Sequence, residues 1–175
     1  MSMQDIAAAL QRAGTVLERR PEMGLHDDAP ATARWQGGVR VESTHANGTR
    51  LMTDMPCELG GTGDRVTPGW LFRAGIAACA ATSVAMAAAA EGIALDALEA
   101  HVGSRSDTRG LVGVAEPDGQ AVYAGPRDMQ LQVRIGAAGV APERLRLLVE
   151  AAIRRSPIPN ATQNATPLAL HVELA

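Results

Sequence analysis

The two cysteines, Cys57 and Cys79, are the side chains best suited to chemistry in this sequence. Cys79 lies in the run Arg73-Ala-Gly-Ile-Ala-Ala-Cys-Ala-Ala-Thr-Ser. A thiol attacks as its thiolate, so it needs an electropositive neighbour that favours the ionised form. The chain contains no lysine, so that neighbour must be a guanidinium or a histidine. The spacing puts Cys79 about three turns into a helix, beyond the reach of the helix dipole. An arginine from elsewhere in the fold would have to supply the charge. The commoner use of such a cysteine is as a small buried hydrophobe.

Other patterns carry less. The loop Gly60-Gly61-Thr62-Gly63-Asp64-Arg65-Val66 resembles a phosphate cradle only superficially. A dinucleotide fingerprint read from Gly61 would need glycine at Val66, and a phosphate loop would need lysine. The loop reads instead as a tight lead into a helix, and no cofactor is expected. No Gly-x-Ser-x-Gly elbow or His-Glu-x-x-His pair occurs. His26, His45, His101 and His171 are isolated in sequence, so no metal site is expected.

These residues must be positioned by a small set of elements. Ile6, Leu10, Ala13 and Leu17 recur at helical spacing near residues 3–19. Pro21–Pro30 reads as a linker, which suggests an N-terminal helix and linker over 1–28 and a domain over 29–175. Beyond Ala31 the period changes to two, with Val39 and Val41 alternating with charged residues and Asn47-Gly48 marking a hairpin turn. Thr67 suits an N-cap, Pro68 a first helical position and Gly92 the position past the end, which predicts a helix over 68–91. Strands are predicted around Leu98–Val102 and Met129–Ile135, with Gly- and turn-rich sequence at 103–121 between them. A helix opens at Pro142 and ends near Ser156-Pro157, and Leu168, Leu170, Val172 and Leu174 predict a last strand. Strands and helices do not alternate regularly, so the fold class is α+β with largely antiparallel pairing.

Composition narrows the function classes. At 175 residues with 46% hydrophobic content, the chain can bury roughly two-thirds of its unfolded surface without a disulfide or metal staple. A net charge of −3 and four aromatic residues offer no footprint for nucleic acid. The start of the chain lacks a basic segment ahead of an apolar one, so it does not read as a signal peptide. Residues 74–90 are uncharged but Ala-rich and short for a span, and read as a buried central helix rather than a membrane segment. The expected compartment is the cytoplasm, with reduced cysteines. The Asn-x-Thr triplets at Asn47, Asn160 and Asn164 are then chance matches.

The segment Asp54-Met-Pro, Gly60-Gly61-Thr-Gly-Asp, Thr67-Pro68 and Ala74-Gly-Ile-Ala-Ala-Cys79 resembles the OsmC/Ohr family, the osmotically inducible and organic hydroperoxide resistance proteins. The later order also fits, with Ser106-Asp107-Thr-Arg109-Gly110, the helix from Pro142 and the break at 156–157. The resemblance spans roughly residues 31–174. It implies an intertwined homodimer with two long central helices wrapped by antiparallel sheets. It also implies reduction of organic hydroperoxides by paired thiols at the dimer interface, recycled by a thiol or dithiol reductant. Cys79 matches the peroxidatic cysteine.

Two positions depart from the family pattern. Ser156 stands where the second, resolving cysteine precedes proline, and a hydroxyl cannot form the disulfide. Gly69 stands where the better-characterised peroxidases carry a glutamate that orients the activating arginine. Arg40 is the first match to that arginine, Arg34 the next, and Arg73 a fallback on the helix of Cys79. Cys57 could replace the missing thiol only if loop folding or a second subunit brought the Cα atoms within about 7 Å. Two readings stay open: a peroxidase working through Cys79 with an external thiol, or a degenerate member that binds an apolar ligand near Trp70, Leu71, Phe72 and Ile76.

Overall fold

The computed structural model describes residues 2–174. The chain forms two compact units whose boundaries fall inside helices: Ala8–Gly75 make one, and the residues before Ala8 with those from Ile76 onward make the other. Five α-helices and two antiparallel sheets occur among the described residues, so the α+β class holds.

In the unit Ala8–Gly75, helix α1 (Met3–Arg19) supplies most of its length. Strands β1 (Thr32–Trp35), β2 (Val41–Thr44) and β3 (Arg50–Thr53) form an antiparallel meander. Its register runs through Arg34 opposite Glu42 and Glu42 opposite Met52. The β2–β3 connection is the predicted Asn47-Gly48 turn, where Gly48 has φ of 89°, a backbone state glycine adopts without penalty. Beyond β3, Thr53 bridges in parallel to Val66, and Asp54 N–H donates to the Val66 carbonyl. This closes residues 54–66 into a compact loop. Gly61 is obligatory there, because a Cβ at that position would sit 1.8 Å from the Met55 carbonyl oxygen.

Helix α2 (Pro68–Ala90) begins as its sequence predicts. The Thr67 hydroxyl accepts from the Trp70 N–H at 3.1 Å, and Pro68 occupies a position whose N–H would have no carbonyl partner. The helix ends one residue short of Glu91, where Gly92 adopts φ of 69° and Ile93 N–H returns to the Ala88 carbonyl. Its length and apolar composition would also suit a membrane span. Its buried residues Ile76, Ala80, Val84 and Ala88 recur every four positions, which marks one packed stripe.

That stripe meets helix α4 (Pro142–Ile153). Val84 and Ala88 pack on Leu148 and Ala152, with Leu98, Ile135, Val149 and Ile153 around them. The second sheet pairs β4 (Ala97–Arg105) with β5 (Arg127–Gly136). Leu98 faces Ile135, Ala100 faces Val133 and Val102 faces Leu131, and the polar residues between them are exposed. Between these strands, α3 (Thr108–Val112) is a single short helix in the turn-rich stretch, capped by Asp107 accepting from Arg109 N–H.

Near the end of the chain one element was not foreseen and one expectation needs correction. The residues after Ser156 start another helix, α5 (Pro157–Gln163), because proline is tolerated in a first helical turn. The last strand does not form. Residues 167–174 are in no regular element, and Leu168 (96%) and Leu174 (94%) are almost fully exposed, as Leu170 and Val172 largely are. Alternating residues fit a half-buried strand, but a strand also needs a neighbouring backbone to bond to, and among the described residues this chain provides none.

Candidate active site around Cys79

Cys79 projects from the middle of α2 beside the buried stripe and is half-buried. Ser83 follows it by one helical turn, so the two side chains share a face. Facing them is the junction between α4 and α5. Ser156 has no exposed surface, and its Oγ lies 3.3 Å from the Cys79 Sγ. The Ser83 hydroxyl donates to the Ser156 Oγ at 3.0 Å. With Ser83 filling one lone pair of the Ser156 Oγ, the Ser156 proton is free to point at a thiolate sulfur, and the second lone pair is free to accept from a protonated thiol.

A second donor reaches the same sulfur. The Ile158 N–H points at Sγ with N···S of 3.5 Å. Pro157 and Pro159 have no N–H, and Asn160 N–H is bonded to the Ser156 carbonyl. The Asn160 side chain also donates to the carbonyls of Arg154 and Ser156 at 2.8 and 3.1 Å, which ties the junction down. Cys79 therefore sits against one hydroxyl and one amide, both held by neighbouring bonds. The arrangement suits a sulfur that carries negative charge or an added oxygen, because both states accept hydrogen bonds.

The arginine candidates have distinct surroundings. Arg40 is held through Nη2, which donates to Thr62 Oγ1 and Asp64 Oδ1, each at 2.6 Å, and lies 3.5 Å from Asp54 Oδ2. Its Nε and Nη1 have no partner among the described residues, and its side chain is 34% exposed. Asp54 is 1% exposed. Its pKa is lowered to about 2, chiefly by the Thr62 hydroxyl, then by the Thr62 N–H, with smaller help from the Met55 N–H and Arg40, while burial opposes the shift. Asp64 is also lowered, by the Thr62 hydroxyl first and Arg40 second. Arg34 is exposed on β1. Arg73 is partnered and lies with Nη1 3.7 Å from where a Cβ on Gly69 would stand.

Cys57 opens an exposed turn over Cys57–Leu59, and both cysteines are free. Among the described residues no three His, Cys, Asp or Glu side chains gather as metal ligands. Trp70 and Phe72 are exposed on the first turns of α2, while Ile76 is buried. Sequence reasoning missed Ser83, Ile158 and the Asp54–Thr62–Asp64 group as partners of the key side chains. Ser83 was within reach of it, being four residues beyond Cys79 on a helix. The others join positions distant in the chain.

A model of the OsmC-like protein family matches residues 61–171, which include Cys79 and Ser156. The chain belongs to the OsmC-like family. Solved structures share this OsmC-like fold. The OsmC-like protein of Mycoplasma pneumoniae is 19% identical, with a TM-score of 0.66 over 80% of this chain and 90% of that one. A Legionella pneumophila protein described as an organic hydroperoxide resistance protein OsmC is 24% identical, with a TM-score of 0.55 over 80% and 92%. An OsmC-like protein of unknown function from Vibrio cholerae is 12% identical, with a TM-score of 0.62 over 78% and 94%. A sequence comparison with curated proteins finds no match.

Proposed function

We propose that this OsmC-like protein reduces organic hydroperoxides through Cys79 alone, with an external thiol completing the cycle. The observation that carries the reading is the 3.3 Å approach of Ser156 to Cys79. By the resemblance Ser156 stands at the second-cysteine position, and its approach to Cys79 supports a site that keeps the pairing without a disulfide. Organic hydroperoxide resistance in the names of similar structures supports the substrate class.

The Cys79 thiolate attacks the terminal oxygen of the peroxide, the O–O bond breaks, and the sulfur becomes a sulfenic acid. The departing alkoxide takes up a proton and leaves as an alcohol. An external thiol then attacks the sulfenic sulfur, releasing water and forming a mixed disulfide, and a second thiol frees Cys79. Monothiols, or a dithiol acting twice, supply the two electrons.

From the resemblance, Arg40 is proposed as the guanidinium that favours the thiolate, with Arg34 and Arg73 as accessory candidates and Cys57 as an accessory thiol. An intertwined homodimer is proposed as the working form. The unpaired apolar residues of 168–174 and the exposed Trp70, Phe72 and Met86 of α2 support it, since each lacks a covering surface in one chain. Residues 1–28 are proposed as an N-terminal helix and linker before a domain over 29–175, and the cytoplasm as the compartment.

A second reading rests on the same exposed Trp70 and Phe72 together with Gly69 and Ser156. It is a protein that has kept the fold, lost turnover and binds an apolar ligand. One experiment separates the two: peroxide consumption by the wild type and Cys79→Ser, each with monothiol and dithiol reductants. Consumption that disappears in Cys79→Ser supports the peroxidase. No consumption by the wild type, with a co-purified acyl or aromatic ligand, supports the binding protein.

A further inference from the structure

We infer that the backbone amide of Ile158 is a covalent cap for oxidised Cys79: when thiol is scarce, the Cys79 sulfenic acid condenses with the Ile158 nitrogen to a sulfenamide. The cap rests on the proposed peroxidase reading, because it is a second fate of the same sulfur.

The Ile158 N–H is directed at the Cys79 Sγ with N···S of 3.5 Å, across 79 positions of sequence, and both residues belong to the unit from Ile76 onward. The nitrogen is also available. Pro157 and Pro159 have no N–H, and the Asn160 N–H is bonded to the Ser156 carbonyl. The Ile158 N–H has no backbone acceptor among the described residues, so replacing its hydrogen with sulfur breaks no bond of the helix ladder. The product also suits its place. A sulfenylated amide has no N–H, like that of proline, and it would stand between two prolines in the first turn of α5, where such a residue is tolerated. The Asn160 side chain, bonded to the Arg154 and Ser156 carbonyls, holds the junction so that this nitrogen stays beside the sulfur.

The Ser156 Oγ is nearer, at 3.3 Å, but it is a poorer trap. A sulfur–oxygen bond to it would exchange one oxygen on sulfur for another, and water would reverse it. With Ile158, the nitrogen attacks Sγ, the S–O bond breaks, and the hydroxyl leaves with the amide proton as water. The organic hydroperoxide has already supplied the oxidation, so no further oxidant is needed. An external thiol then attacks Sγ, the S–N bond breaks, the nitrogen regains a proton, and Cys79 enters the mixed disulfide of the proposed cycle. While capped, the sulfur is shielded from further oxidation to the sulfinic acid, which ordinary thiols do not reverse.

The test uses the full chain, reduced and then given one equivalent of cumene hydroperoxide without thiol, beside Ser156→Ala and Ile158→Pro. Intact mass is followed over time. The wild type should first gain one oxygen and then lose one water, ending two hydrogens below the reduced form. Trypsin cuts after Arg73, Arg105 and Arg155, so peptides 74–105 and 156–175 should emerge joined, with fragment ions placing the link at Ile158. Added thiol should separate them. Ser156→Ala should still lose water. Ile158→Pro should keep its oxygen and advance to two oxygens under excess peroxide. If Ile158→Pro folds poorly, the wild-type peptide map decides the matter. An oxygen retained without loss of water, or a link mapped to Ser156 or Cys57, overturns the cap and leaves the peroxidase reading in place. A wild type that takes up no oxygen overturns both.

Discussion

The Oγ of Ser156 lies 3.3 Å from the Sγ of Cys79, although 77 positions separate the two residues in sequence. Helix α2 holds one and the α4–α5 junction the other, and the Ser83 hydroxyl and Ile158 amide complete the contact. The hydroxyl occupies a place from which a sulfur could close a covalent bond.

Ser156→Cys should therefore regain an intramolecular disulfide. The atoms need to close to about 2.05 Å, a shift that rotamer adjustment can absorb. One equivalent of organic hydroperoxide should leave the variant with its Cys79 thiol blocked and a mass two hydrogens below the reduced form. The wild type should instead gain one oxygen. Intact-mass spectrometry distinguishes the two, and an unlinked variant would show that the junction cannot move.

Ser156→Ala should be destabilising although the residue precedes a helix. Its side chain makes no capping bond, so its value lies in accepting from Ser83 and reaching Cys79. Removing the hydroxyl leaves the Ser83 proton facing a buried methyl, at a cost of about 1–3 kcal/mol. Urea unfolding measures this. Oxidation of Cys79 should also slow, because the sulfur keeps only the Ile158 N–H. Ser83→Ala should reproduce part of the loss in stability with a smaller effect on the thiol.

Asp54 ties stability to acid. Its folded pKa, about 2, lies below the unfolded carboxylate value of 3.8. A depressed carboxylate contributes stability that is fully present above the unfolded value and is lost as pH falls through the folded one. The unfolding midpoint should thus decline between about pH 4 and pH 2, with Asp64 adding in the same direction. Asp54→Asn should lower stability at neutral pH and flatten that decline. An equally steep acid limb in Asp54→Asn would assign it to other carboxylates.

The tail gives a separate prediction. Leu168, Leu170, Val172 and Leu174 are exposed in one chain and alternate with Ala169, His171 and Glu173. Leu170→Asp with Val172→Asp should shift the protein from dimer to monomer in analytical ultracentrifugation, because two charges on the apolar face cannot be buried without partners. The same pair of substitutions at His171 and Glu173 should leave the assembly intact. A wild type that sediments as a monomer would refute the proposed dimer directly.

Much of the fold was legible because its signals are local. Thr67-Pro68 and Gly92 bracketed α2, and the strict alternation from Met129 to Ile135 marked β5. The tail misled because alternation describes a surface a strand would suit, and says nothing of whether a neighbour is there. Ser156-Pro157 did mark the end of α4, but the same proline is the first residue of α5, which no local signal announced. At the site, the family resemblance pointed to Cys79 and the altered Ser156. The partners of Arg40 were not legible, since Thr62 and Asp64 lie 22 and 24 positions away and charged side chains in a loop carry no periodicity.

The prolines at 157 and 159 have one more effect. Each removes an amide hydrogen, so between Ser156 and Asn160 the backbone carries one amide donor, that of Ile158, and it is directed at the thiol. Replacing the buried Pro159 with an ordinary residue would introduce an amide hydrogen in the first turn of α5, where helix geometry supplies it no carbonyl partner. The junction beside the thiol is thereby kept quiet by subtraction, with few backbone donors left to satisfy.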